Sequence, residues 1–427
     1  MKKNGLMVLL LLFSVIVCAE VNYSEYFTGN VLRVDVLLAG NSSSQKASVS
    51  QIFKEKEWGG RKNRLDEFQG KGAYKFEIYD LSTGKLIYTD GFCTLFQEWQ
   101  TTEEADNIDR SFENTLYAPM PKTDIRFVLI HRNDGFLTDT LLNFNLDPKG
   151  EIVRPSETPD SETRDILISG NTEACIDIVL IAEGYTENDK SLFFKDARNF
   201  ADGLFTSKPF ADNKSRFNIR AVMSYSEEAG ADDPRQDVYV KTALDASYNT
   251  LYSDRYLMTN DLYDVSNYAS LVPHDQIIIL VNTEKYGGGG IYNFYSINST
   301  RGRKNQQVFI HEFGHSFAGL GDEYYTSDVS YNDFYPTDIE PWEPNLTTLV
   351  NFESKWKDML DPETPVPTPA KEKYNTTVGV FEGGGYVAKG VYRPYIDCRM
   401  KTNEAEDFCP VCARAIVRTI NFYTEAE

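Results

Sequence analysis

The sequence predicts a two-domain α+β protein. An antiparallel β-sandwich-like domain spans residues 20–147, and an α/β domain with a largely parallel sheet spans 171–427. Three observations predict this. The first part carries short segments whose apolar residues alternate. The second carries continuous apolar runs with a helical pattern between them. Residues 148–170 lack apolar periodicity and are rich in chain breakers, so they read as a linker.

The chain opens on an export signal. Lys2 and Lys3 precede an apolar run from Leu6 to Val17. At about 12 residues it is too short to span a bilayer as a helix, which makes residues 1–19 a cleaved signal peptide. Cleavage after Val17-Cys18-Ala19 would release a secreted or periplasmic chain beginning at Glu20. The alternative is a lipid on Cys18, the one route by which this chain would meet a membrane. Val17 fits the position before a lipidated cysteine poorly, which favours release.

Export puts the remaining cysteines where disulfides form. Cys93, Cys175, Cys398, Cys409 and Cys412 are an odd set, so at least one thiol stays unpaired. Cys398 lies near Cys409-Pro410-Val411-Cys412, which suggests a bridge within that trio. A structural zinc site on Cys409 and Cys412 would need a second ligand pair, and only Cys398 is near.

The 427 residues include 64 acidic against 43 basic side chains, a net charge of −21. Such a surface repels phosphate backbones, which excludes non-specific nucleic-acid binding. Solubility accounts for the charge. A preference for basic substrates or for calcium would need more than composition.

In the first domain, Val31 to Leu38 and Tyr74 to Asp80 alternate. Ser82-Thr83-Gly84-Lys85 is a turn that makes Leu86 to Thr89 a hairpin partner, and Ile125 to Ile130 runs up to the turn Asn133-Asp134-Gly135. In the second domain, Ile176 to Ala182 and Gln276 to Val281 read as strands buried on both faces. Asn188 to Leu204 is an amphipathic helix, and Phe217 to Val222 the strand after it.

Gln306 to Ala318 fits an apolar helix that carries His311-Glu312-Phe313-Gly314-His315. Histidines four apart project from one helix face, the spacing that lets two imidazoles hold one metal ion. Glu312 then reaches water at the metal and accepts its proton, since bound zinc lowers the pKa of water to about 7. Three protein ligands are usual at a catalytic zinc. Gly319-Leu320-Gly321 can end the helix and turn the chain, bringing Asp322 back as third ligand, with Glu323 in reserve. Two of the chain's four histidines sit in this segment, which weighs against two unrelated core histidines. His131 and His274 read as surface or capping residues.

The run from His311 to Tyr324 resembles the IgA-peptidase family of bacterial zinc peptidases, which are metzincin-like. The metzincin pattern places glycine three residues after the second histidine and the third ligand three beyond it. Here Ala318 takes the first place and Gly319 follows, so the pattern is one residue longer, which suits Asp322. Thr94 to Trp99 and Ser111 to Thr115 look like the domain that precedes the peptidase in this family. The resemblance implies a metzincin-like zinc peptidase domain with one catalytic Zn2+, acting on extracellular proteins or peptides. It also implies that Cys398-Arg399-Met400 is the methionine turn beneath the metal. Gly287 to Asn293 would then hold either the edge strand that pairs with substrate or a flexible loop. The stretch Tyr324 to Asp338 is a tyrosine-rich loop that could wall the cleft, bind calcium or supply an oxyanion donor.

These readings make the chain a secreted zinc endopeptidase with Glu312 as general base. A zinc hydrolase of another amide or ester, and a cell-surface binding or adhesion protein, are the alternatives. Intact Glu312 argues against the last.

Overall fold

The computed structural model describes residues 20–132, 138–325 and 335–425. The export signal with Cys18, the turn at Asn133-Asp134-Gly135, and Asp328, Tyr331 and Asp333 lie outside the described residues. Among the described residues, no helix is long and apolar enough to cross a membrane.

A one-turn helix α1 (Tyr23–Tyr26) leads into β1 (Phe27–Asn41), β2 (Ser44–Glu55), β3 (Tyr74–Asp80) and β4 (Leu86–Phe92). Then come α2 (Leu95–Trp99), β5 (Arg110–Pro121), β6 (Ile125–Arg132), β7 (Thr138–Leu146) and β8 (Val153–Pro155). These strands form two four-stranded sheets, ordered β5-β1-β2-β8 and β4-β3-β6-β7. All pairs are antiparallel except β2 with β8. Leu32, Val34 and Leu38 of β1 and Phe76, Ile78 and Phe127 of the second sheet share one core. The expected β3–β4 hairpin forms. β2 was not expected, because most of it is solvated and polar; its backbone pairing with β1 carries it.

The rest of the chain supplies β9 (Thr163–Leu167), β10 (Ile176–Glu183), α3 (Lys190–Leu204), β11 (Phe217–Val222), α4 (Leu262–Ala269) and β12 (Gln276–Val281). It continues through β13 (Gly288–Ile291), β14 (Tyr295–Ser299), α5 (Asn305–Ala318), β15 (Phe381–Gly384), β16 (Val387–Arg393) and α6 (Pro410–Thr424). A six-stranded sheet runs β13-β14-β12-β10-β11-β9, parallel within its centre and antiparallel at both edges. The stretch 148–170 is thus not free of structure: β8 and β9 lie in it and join sheets at their edges through backbone pairing, which needs no apolar pattern.

The continuous apolar runs follow from burial on both faces. Ile178 and Leu180 of β10 face the core that holds α3, α5 and α6. Val179 and Ile181 face the opposite side, where they join the same core as the sandwich strands. The two regions are also bonded: the buried Arg33 guanidinium of β1 donates to Asn267 Oδ1 (2.8 Å) and to the Tyr263 carbonyl (3.1 Å) of α4.

Neither spare histidine is a surface residue. His131 packs on Tyr74 with ring centres 5.0 Å apart, and His274 meets the Tyr117 ring edge-on at 5.1 Å, donating from Nδ1 to the Val272 carbonyl. Both are partly buried, His131 on β6 and His274 in the loop that leads into β12.

Candidate active site

Helix α5 lies against the edge of the six-stranded sheet with His311 and His315 on one side. Its last turn is closed by Gly319 in the left-handed conformation (φ 65°), whose N–H reaches back to the Gly314 and His315 carbonyls. This is the glycine cap that lets the chain reverse. Gly321 needs no such conformation. It is instead gripped by Asn345, which accepts from the Gly321 N–H and donates to its carbonyl, both at 2.8 Å.

The reversal brings Asp322 back over α5. His311 Nε2 and His315 Nε2 are 3.0 Å apart, and Asp322 Oδ1 lies 3.1 and 3.3 Å from them. Nδ1 of His311 donates to the Arg399 carbonyl (2.9 Å) and Nδ1 of His315 to the Leu320 carbonyl (2.5 Å). With those protons so placed, both Nε2 atoms present lone pairs. Asp322 Oδ1, also buried, receives no hydrogen bond. Three electron-rich atoms therefore converge on one point, which is costly without positive charge between them. A tetrahedral ion about 2.0–2.1 Å from each donor would space them about 3.3 Å apart, so this donor set could hold a metal ion.

The titration of these groups carries the same message. Burial opposes charge on His315, but Asp322 outweighs it and pushes the imidazole up to about 9. Burial would raise the Asp322 carboxyl, yet the two imidazoles hold it well below the usual range.

Glu312 sits beside this triangle, with a carboxylate oxygen within 4.8 Å of both histidine nitrogens. Burial raises its pKa, against the pull of His311 and His315. Glu323, the reserve ligand, does not join. Its side chain turns away from the histidines and is fully buried against Asn345 and Cys412. Neighbouring residues of an extended segment point to opposite sides, so Asp322 and Glu323 cannot serve one ion.

The residues stand in a cleft of about 1140 Å³. One wall is β13, so Gly288 to Ile291 is a sheet-edge strand and not a loose loop. The sandwich region also lines the cleft, with Gln97, Glu98 and His131. Met400 is fully buried beneath α5, and a Cβ on Gly314 would come within 2.8 Å of its sulfur. Tyr324 stacks over His311 with ring centres 6.4 Å apart.

Sequence reasoning missed Tyr386, whose hydroxyl donates to Asp322 Oδ2 at 2.6 Å. It lies at the tip of the β15–β16 hairpin, where Gly385 and Tyr386 both have positive φ. The run Gly383-Gly384-Gly385 signals a tight turn, but nothing in it points to residue 322.

A family model described as IgA peptidase M64 matches residues 165–376 and 370–420, and one described as the peptidase M64 N-terminus matches 22–141. The chain belongs to the IgA peptidase M64 family. It is therefore a hydrolase of the metallopeptidase kind, with protein or peptide substrates. No match was found among curated proteins. The buried triangle under the cleft belongs to the part of this M64 peptidase that the first of the two models matches.

Proposed function

We propose that this M64 peptidase is an exported, metzincin-like zinc endopeptidase in which His311, His315 and Asp322 hold the ion and Glu312 is the general base. The observation that carries the reading is the placement of Glu312 beside three converging donor atoms on the floor of a long cleft. Two imidazole nitrogens and one carboxylate oxygen suit zinc, which takes three protein ligands and leaves one position open. When bound, zinc polarises the scissile carbonyl and acidifies water.

The chain's own residues do the rest. Arg399 and Leu320 carbonyls fix the imidazole tautomers. Glu312, raised by burial, takes the proton of the attacking water and gives it to the leaving amine. β13 lies at the sheet edge and lines the cleft, where its backbone can pair with an extended peptide. Export follows from the Lys2-Lys3 and Leu6 to Val17 signal, with release after Ala19 preferred over a lipid on Cys18.

The test compares purified protein with Glu312→Gln for cleavage of a mixed protein digest, alongside metal analysis. Zinc in both and cleavage by the parent alone is the expected result. Zinc in both with cleavage in neither would point to a non-peptide amide or ester. Failure of folded protein to take up zinc at His311 and His315 would overturn the reading.

A further inference from the structure

Glu323 turns away from the first triangle into a second group of donors. Cys398, Cys409 and Cys412 surround it, and one donor atom from each of the four residues lies within 4.8 Å of the others. All four residues are buried, and all three cysteines are free thiols. We propose that Glu323, Cys398, Cys409 and Cys412 form a second, structural metal site that takes a soft, tetrahedral divalent ion such as zinc.

Three features carry this. The donor set fits the ion: a tetrahedral site with Zn–S near 2.3 Å places its ligand atoms about 3.5–3.8 Å apart. The observed contacts bracket that spacing, with Cys412 Sγ 3.1 Å from Glu323 Oε1 and no pair of the four beyond 4.8 Å. The second feature is an unmet need, because Glu323 Oε2 is fully buried and has no hydrogen-bond partner. A disulfide would join two sulfurs and leave the third thiol and this carboxylate without a use, whereas an ion engages all four. The third is charge. Three thiolates and a carboxylate exceed the charge of a divalent ion, and the surplus faces positive potential. Cys409 caps the N-terminus of the 15-residue α6 and Cys412 lies in its first turn, where helix N–H groups favour thiolate. Arg393 adds positive charge on the Glu323 side. The Cys409 N–H donates to Cys398 Sγ at 3.2 Å, and Asn345 donates to Glu323 Oε1 at 3.0 Å, so the ligands are themselves oriented.

The position gives the site a role. Glu323 directly follows Asp322, and its N–H donates to the Met400 carbonyl at 2.8 Å. Cys398 lies two residues before Met400, and Cys409 and Cys412 begin α6. One ion would tie the Asp322 turn, the Met400 turn and the last helix together. Binding releases the thiol protons to solvent.

The experiment uses the full chain and zinc or cobalt as the probe. Metal analysis should give about two zinc equivalents per chain, with one surviving in the double variant His311→Ala/His315→Ala. Should Cys409→Ser/Cys412→Ser not fold, cobalt reports on the His variant: a thiolate-to-cobalt charge-transfer band must persist there. One equivalent in the parent falling to none in the His variant, without that band, overturns the proposal. So does an intact mass after alkylation of the unreduced, unfolded chain that shows two of the three cysteines blocked by a disulfide. Loss of the first ion alone bears on the peptidase reading and leaves this one standing.

Discussion

The Tyr386 hydroxyl donates to Asp322 Oδ2 at 2.6 Å, while Oδ1 of the same carboxylate faces the two histidines. The hairpin tip that delivers Tyr386 is docked by backbone as well: Gly385 N–H donates to the Asp322 carbonyl and Tyr386 N–H to the Tyr324 carbonyl. Tyr386 holds a left-handed conformation (φ 68°), which costs a non-glycine residue about 1 kcal/mol or more. The fold thus accepts strain to aim one hydroxyl at one carboxylate oxygen.

On the proposed zinc site, removal of that hydroxyl should loosen Asp322 without displacing it. Tyr386→Phe is expected to weaken zinc affinity about 10–100-fold, as for other partners of metal-ligating groups. Chelator competition measures this. Unchanged affinity would mean that Asp322 is held by its backbone contacts alone.

Gly290 on β13 touches the helix that carries Glu312. A Cβ there would lie 2.2 Å from the Glu312 carbonyl oxygen, and backbone must move to admit it. Gly290→Ala should shift α5 against the cleft wall and lower kcat/KM by on the order of 10²-fold. Gly29→Ala, where a Cβ meets nothing within 4 Å, should leave the rate alone. Equal rates for both variants would show that the β13–α5 contact does not set the position of Glu312.

Much of this site is legible in the sequence because helix periodicity fixes it. His311 and His315 must share a face, and Gly319 must turn the chain, so Asp322 comes within reach. Tyr386 was beyond such reasoning, since its role depends on where a hairpin 64 residues later docks. The cysteines were half legible: Cys398, Cys409 and Cys412 read as a trio that bridges, yet their thiols are free, and Glu323 completes the group from far away in the chain. In the fold, buried strands such as β10 and β12 were plain from their apolar runs. β2 and β9 were not, because backbone pairing holds these largely solvated strands and leaves little trace in side chains.

Met400 supports α5 by packing, and its neighbour Arg399 accepts from His311. Met400→Ala should cost about 2–5 kcal/mol by opening a cavity, whereas Met400→Leu keeps the volume and should cost less than about 1.5 kcal/mol. Urea denaturation of the metal-free proteins measures both. If the two variants lose stability equally, sulfur and not volume is what the site needs.

His274 makes the contact between the sandwich region and the six-stranded sheet sensitive to acid. Burial, helped by the charge of Arg33, outweighs the Val272 carbonyl and lowers its pKa to about 4, against about 6.5 in the unfolded chain. Between those values the unfolded state binds more protons, so stability falls as pH drops from about 6.5 towards 4 and is unaffected above that window. Other buried groups pull the opposite way. Burial raises Glu55 and Glu183 to about 7, so they favour the folded state as they protonate. A difference between proteins isolates the histidine. His274→Asn keeps a side-chain N–H for the Val272 carbonyl but cannot titrate. Its loss of packing on Tyr117 should destabilise it at pH 7. At pH 5 the parent alone bears the cost of protonation, so the gap should shrink by about 2 kcal/mol, from 1.36 kcal/mol per pKa unit. Denaturant curves of both proteins at the two pH values decide it. A gap that does not change with pH would mean that the imidazole is hydrated or protonated without opening this contact.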